Sequence, residues 1–189
     1  MTNRRPAAFA ALAWCALAGW IAFVRGTRVP LLWCVDLGFH ELGHLIMYII
    51  PINEALTAAM GSINQCAVPL GIALYFYFWR RDTIAGSVCL AWAATNFQDA
   101  SVYIADAPYQ RLQLIGGEHD WAAVLGPDHL NMLQDAHMIA TVVRDTGLVL
   151  LVVAAFVVAR KLILNGFSSS VSIPVAATAP KSDDLIPNK

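Results

Sequence analysis

Five apolar runs, separated by short charged or turn-forming breaks, organise this chain. Residues 7–24, 29–50, 55–79, 83–104 and 138–159 each approach the roughly 20 residues that a helix needs to cross a bilayer. Arg25 and Arg28 divide the first two runs, Pro51 and Glu54 the next two, and Arg80, Arg81 and Asp82 the third from the fourth. Breaks that short predict tight hairpins with neighbouring helices antiparallel. The expected fold is all-α: an integral membrane helical bundle of about five transmembrane helices within residues 1–164.

Two stretches break the pattern. Residues 105–137 form a polar loop or interfacial region that holds Asp106, Glu118, His119, Asp120, Asp128, His129, Asp135 and His137. Residues 165–189 are rich in Ser, Ala, Pro and Lys without an apolar period, which predicts a disordered tail. There is no internal repeat.

Composition agrees with a membrane protein: 58% of residues are hydrophobic and 13% charged, well below the roughly 25% charged residues of a soluble domain. Twelve Lys and Arg against thirteen acids, with no basic run, give no electrostatic case for nucleic acid. Cys15, Cys34, Cys66 and Cys89 lie in separate apolar runs without paired spacing and read as small apolar residues. Arg4 and Arg5 precede an apolar run, but no small-x-small cleavage site leads into a polar start, so an uncleaved first helix is expected. If every break is a hairpin, Arg25, Arg28, Arg80, Arg81, Arg160 and Lys161 share one side, which puts the N-terminus outside. The signal-anchor character of Arg4 and Arg5 argues for the reverse, so charge alone leaves the orientation open.

The second run carries the chemistry. It contains His40-Glu41-Leu42-Gly43-His44, and ionisable side chains inside an apolar span are costly enough to suggest a function. Positions i and i+4 lie one above the other on a helix, so His40 and His44 can present two imidazoles to one metal ion. Glu41 stands beside the open position, where it could take a proton from water and pass it to a leaving group. The plainer alternative is a buried polar cluster that holds helices together. A bis-histidine haem is a poor reading, because residues i and i+4 of one helix cannot ligate opposite faces of a porphyrin. Asp36, one turn before His40, could accept the far N–H of that imidazole and fix its tautomer, or merely meet water.

A catalytic zinc wants a third protein ligand. Asn96, Asp99, Tyr103 and Asp106 share one face of the fourth run. Depth favours Asp99: His40 and His44 lie 11 and 15 residues past Val29, and Asp99 lies 16 past Thr83. Asp106 would be about 10 Å nearer the surface. Asp99 is thus the expected ligand, with an interhelical hydrogen bond as its structural alternative. His119 and Asp120, after the flexible Gly116-Gly117, could supply a ligand if their loop folds inward, although loop histidines such as His129 and His137 are usually solvated. In the third run, Gly61, Ser62, Asn64 and Gln65 suggest close helix approach. Asn64, Gln65 and Asn96 could also donate hydrogen bonds to a substrate carbonyl or its oxyanion.

With His40-Glu41-Leu42-Gly43-His44 inside a membrane span, the chain resembles the site-2 protease type of intramembrane zinc metalloprotease. The resemblance implies zinc held by His40 and His44, Glu41 as general base, and an aspartate from a later span as third ligand. Asn96 with Asp99 or Asp106 looks like a divergent form of that later motif. Residues 36–121 are also similar to a group of small bacterial membrane proteins, which implies a bacterial inner (cytoplasmic) membrane location. The expected activity is zinc-dependent hydrolysis of a peptide bond in a membrane protein or peptide substrate. The alternative is a non-catalytic subunit of a membrane complex, with a structural metal or only a polar cluster.

Overall fold

The computed structural model describes residues 4–50, 52–115 and 117–170. Helix α1 (Arg5–Gly19), with Pro6 in its first turn, continues into one π-helical turn, Trp20–Val24. Helix α2 spans Leu32–Ile49. Helix α3 (Glu54–Phe78) starts where the Asn53 side chain accepts the Leu56 N–H, and α4 (Thr83–Asp106) starts where Asp82 accepts those of Ile84 and Ala85. Both caps satisfy amide donors that a helix start leaves without partners. A short α5 (Asp120–Leu125) and a 3₁₀ turn (Leu133–Asp135) lead into α6 (Ala136–Ser170). Among the described residues the chain is entirely helical, without strands.

Three stretches, Arg5–Val24, Glu54–Phe78 and Leu133–Leu164, are long and apolar enough to cross a membrane. The other two expected spans, α2 and α4, are not among them, being interrupted by Asp36, His40, Glu41 and His44 and by Asn96, Gln98 and Asp99 respectively. Of the residues expected to form the tail, 165–170 continue α6, and residues 171–189 lie outside the described residues.

Helix α4 is the centre of the bundle. Its Gly86, Ser87, Ala91, Ala93, Ala94 and Ala100 are buried, and small side chains there let α1, α3 and α6 approach closely. Helix α6 runs antiparallel to α4: Gly147 lies against Ala94 and Phe97, and Lys161 Nζ donates to Thr83 Oγ1 at 2.8 Å. Helix α3 is antiparallel too, with Gln65 bonded to Asn96 and Tyr77 to Ser87. Helix α1 runs parallel to α4, since Ala8 and Ala11 pack with Ile84, the Trp14 indole donates to the Val88 carbonyl, and Phe23 reaches the level of Phe97.

Helix α2 is also parallel to α4. Asp36 meets Trp92 and Asn96, and the His40 ring lies 6.2 Å from that of Tyr103. The antiparallel hairpin expected between the first two runs is therefore replaced by a segment, residues 25–31, that doubles back alongside α4, where Arg28 meets Asp99. Gly26 and Leu31, both at left-handed φ (63° and 65°), flank this reversal. A bulky residue rarely adopts that conformation, and Leu31 is largely exposed.

These directions sort the charge. Arg4, bonded to Asp82 at 2.9 Å, lies with Arg5, Arg80, Arg81, Arg160 and Lys161 at one end of the bundle. The acid-rich 105–135 segment follows the other end of α4.

Candidate metal centre

His40 and His44 sit one turn apart on α2 with ring centroids 4.9 Å apart and their Nε2 atoms at 3.2 Å. Asp120, the first residue of α5, brings Oδ2 to 3.1 Å from His40 Nε2 and 3.3 Å from His44 Nε2. These three residues form a group that could hold a metal ion. Bonds of about 2.0–2.1 Å to a tetrahedral ion put ligand atoms about 3.3 Å apart, so the triangle already matches one face of such a site.

Sequence explains why the imidazoles can gather there. Helices α2 and α3 approach so closely that a Cβ on Gly43 would collide with the Met60 carbonyl, while one on Gly61 would sit 2.5 Å from both Nε2 atoms. The space that other residues fill with a side chain is, at Gly61, filled by the two ligand nitrogens. The rings are anchored from behind: His44 Nδ1 lies 2.9 Å from the Thr57 carbonyl, and His40 Nδ1 lies 3.2 Å from Gln65 Oε1. A carbonyl oxygen can only accept, so each ring carries a proton on Nδ1, which leaves Nε2, facing Asp120, as the atom a metal would take in exchange for a proton.

Three contacts carry Asp120 into place. His119 caps α5, its Nδ1 accepting the Ala122 N–H at 3.2 Å; Trp121 Nε1 donates to Ser62 Oγ on α3 at 3.0 Å; and the Asp120 N–H donates to the Tyr103 hydroxyl at 3.0 Å. Burial pushes the Asp120 carboxyl up, but the two histidines outweigh it and hold its pKa at about 2. Two ring nitrogens and a carboxylate oxygen thus converge on one point, a set of donor atoms that could take a cation in place of the protons they share.

The triangle opens on a cavity of about 760 Å³ whose wall includes Glu41, Tyr103, Asp99, Arg28, Trp33 and Leu112. Glu41, exposed and beside His40 on α2, is not a member of the candidate metal group. A second cavity of about 390 Å³ adjoins it; Arg28, Trp33, Asp99, Tyr103, Leu112 and Gln113 line both.

Of the residues proposed from sequence, His40, His44 and Asp120 come together, and Glu41 shares their cavity. Asp99 does not join the triangle. It lies on the cavity wall, paired with Arg28 at 2.7 Å and accepting from Gln65 at 3.1 Å. Asp36 does not touch His40 but accepts from Trp92 and Asn96. Asp106 accepts the Arg111 and Leu112 N–H groups, fastening the loop after α4. Burial raises its pKa, but those two donors and His119 bring it below the ordinary carboxylate value. His119 is buried, with Nε2 3.4 Å from Asp106 Oδ2 and without a hydrogen bond. The amides expected to face a substrate spend their donors within the protein, although Gln65 also lines the larger cavity: Asn64 donates to the Phe39 carbonyl, Gln65 to Asn96 and Asp99, and Asn96 to Asp36.

Sequence reasoning had put Tyr103 on the polar face of α4 without a role. Its support of Asp120 depends on a loop fold that spacing along a helix does not reveal. Arg28, by sequence a charge between spans, reaches Asp99 because residues 25–31 double back.

Fold and site together define an all-helical chain with a three-ligand candidate metal centre open to a cavity. Comparison with protein-family models, curated proteins and solved structures found no match to the chain.

Proposed function

We propose that this chain is an integral membrane, zinc-dependent hydrolase acting on a peptide bond of a membrane protein or peptide. What supports this is the triangle of His40, His44 and Asp120, with edges of 3.1–3.3 Å, beside a cavity that Glu41 also lines. Two imidazoles and a carboxylate, with a fourth position left for water or substrate, make a catalytic rather than a closed structural donor set. When bound, zinc would supply Lewis acidity and make water a competent nucleophile near neutral pH.

The protein's own groups have separable tasks. His40 and His44 hold the ion through Nε2, Asp120 supplies charge, and Glu41 takes the proton of the attacking water and returns it to the leaving amine. Tyr103, whose hydroxyl accepts the Asp120 N–H, keeps that carboxylate seated. A non-catalytic subunit with a structural metal would call for a fourth ligand, and among the described residues the group has three. The same two-histidine, one-carboxylate set also serves ferrous oxygenases; Glu41 at the cavity favours hydrolysis, and metal analysis separates the two.

Placed in a bilayer, the end bearing Arg4, Arg5, Arg80, Arg81, Arg160 and Lys161 belongs on the cytoplasmic side. The acid-rich 105–135 segment and α5 then lie toward the opposite face, at a bacterial inner membrane the periplasm.

Glu41→Gln tests the activity. The variant should keep fold and metal while cleavage of membrane proteins, followed by comparing fragments in membranes expressing each form, falls about 10²- to 10⁴-fold. Unchanged fragments with metal bound in both forms would favour the binding subunit.

A further inference from the structure

A row of buried hydrogen bonds ends at His40 Nδ1. Trp92 Nε1 and Asn96 Nδ2 donate to Asp36 Oδ1 at 2.7 and 3.0 Å. Asn96 Oδ1 accepts from Gln65 Nε2 at 2.9 Å, the same nitrogen lies 3.1 Å from Asp99 Oδ2, and Gln65 Oε1 faces His40 Nδ1 at 3.2 Å. Asp36, Gln65 and Asn96 are buried. An amide can be turned end for end, but neither of these can turn without cost. Turning Asn96 would aim its oxygen at Asp36, and turning Gln65 would aim its oxygen at both Asn96 Oδ1 and Asp99, leaving buried acceptors face to face.

We infer that Asp36, Asn96, Gln65 and Asp99 form a one-directional hydrogen-bond chain that positions His40 for metal binding. The two carboxylates, able only to accept, orient the amides, and Gln65 then presents a carbonyl to His40 Nδ1. A proton is held at Nδ1, so the nitrogen left to bind an ion is Nε2, on the side of the site. His44 reaches the same state by another route, through the Thr57 backbone carbonyl, which no side-chain substitution removes. None of the four chain residues belongs to the metal group, so they are positioning residues.

This rests on the metal reading above, yet its test also works without metal. In metal-free protein carrying ¹⁵N-labelled histidine, nitrogen chemical shifts report which ring atom bears the proton. Wild type should show His40 and His44 both protonated at Nδ1. Gln65→Leu should leave His44 as it was, give His40 a mixture of tautomers, and weaken Zn²⁺ binding about 10- to 100-fold. Three results would overturn the inference: a His40 Nδ1 without its proton in wild type, a Gln65→Leu protein with unchanged tautomers and affinity, or one in which both histidines shift together, the mark of a general disturbance. If the variant fails to fold, the wild-type tautomer decides. A wild type with both rings protonated at Nδ1 but no affinity for Zn²⁺ would defeat the metal reading and leave the chain intact.

Discussion

At the scale of single residues, two glycines one helix apart carry different loads. A methyl at Gly61 would meet the two ligand nitrogens, which can swing aside, whereas a methyl at Gly43 would meet the Met60 backbone, which cannot. Gly61→Ala should therefore lower metal affinity while thermal unfolding of metal-free protein changes little. Gly43→Ala should destabilise the metal-free fold by about 1–3 kcal/mol, as overpacking does. Equal effects of both substitutions on both measurements would contradict this division. The motif histidines were legible in the sequence because one turn of helix fixes their relation. Asp120 was not: spacing gives a residue's level along a helix but not which neighbour its face meets. Asp99 has the right level, yet it faces Arg28 and Gln65.

Among the elements, α5 shows how a short helix can complete a site that longer helices leave open. Its cap, His119, and its anchor, Trp121, are on either side of Asp120 in sequence. Trp121→Phe keeps the ring but loses the hydrogen bond to Ser62, and should weaken the centre less than Asp120→Ala does, read by zinc titration. The start of α4 supplies a check outside the site. Burial pushes the Asp82 carboxyl up, but the Ala85 N–H and Arg4 outweigh it and lower its pKa. A depressed carboxylate stabilises the fold fully above its unfolded value near 3.9, and that contribution fades as pH falls through the folded value. Asp82→Ala should cost about 1 kcal/mol at neutral pH, and the gap to wild type should narrow below about pH 4. The starts of α3 and α4 were legible from the breaks between apolar runs, at Pro51 and Glu54 and at Arg80 to Asp82. The direction of α2 was not, because a seven-residue break was long enough to double back through left-handed turns at Gly26 and Leu31.

For the whole molecule, parallel α1 and α4 remove the conflict that charge counting left. Arg25 and Arg28 leave the basic end, Arg28 lining both site cavities, while Arg4 and Arg5 join Arg80, Arg81, Arg160 and Lys161. Both ends of the described chain should then face the cytoplasm. Single cysteines at Arg80 and at Asp128, in a background with Cys15, Cys34, Cys66 and Cys89 replaced by Ala or Ser, test this with a membrane-impermeant maleimide on intact cells: Asp128→Cys should label and Arg80→Cys should not, and the reverse pattern would refute the orientation. The central claim concerns the ion itself. Metal analysis of purified wild type, Asp120→Ala and Asp99→Ala should find about one zinc per chain in wild type, almost none without Asp120, and zinc retained, more weakly held, without Asp99. A wild type without metal, or zinc lost with Asp99 and kept without Asp120, would contradict it.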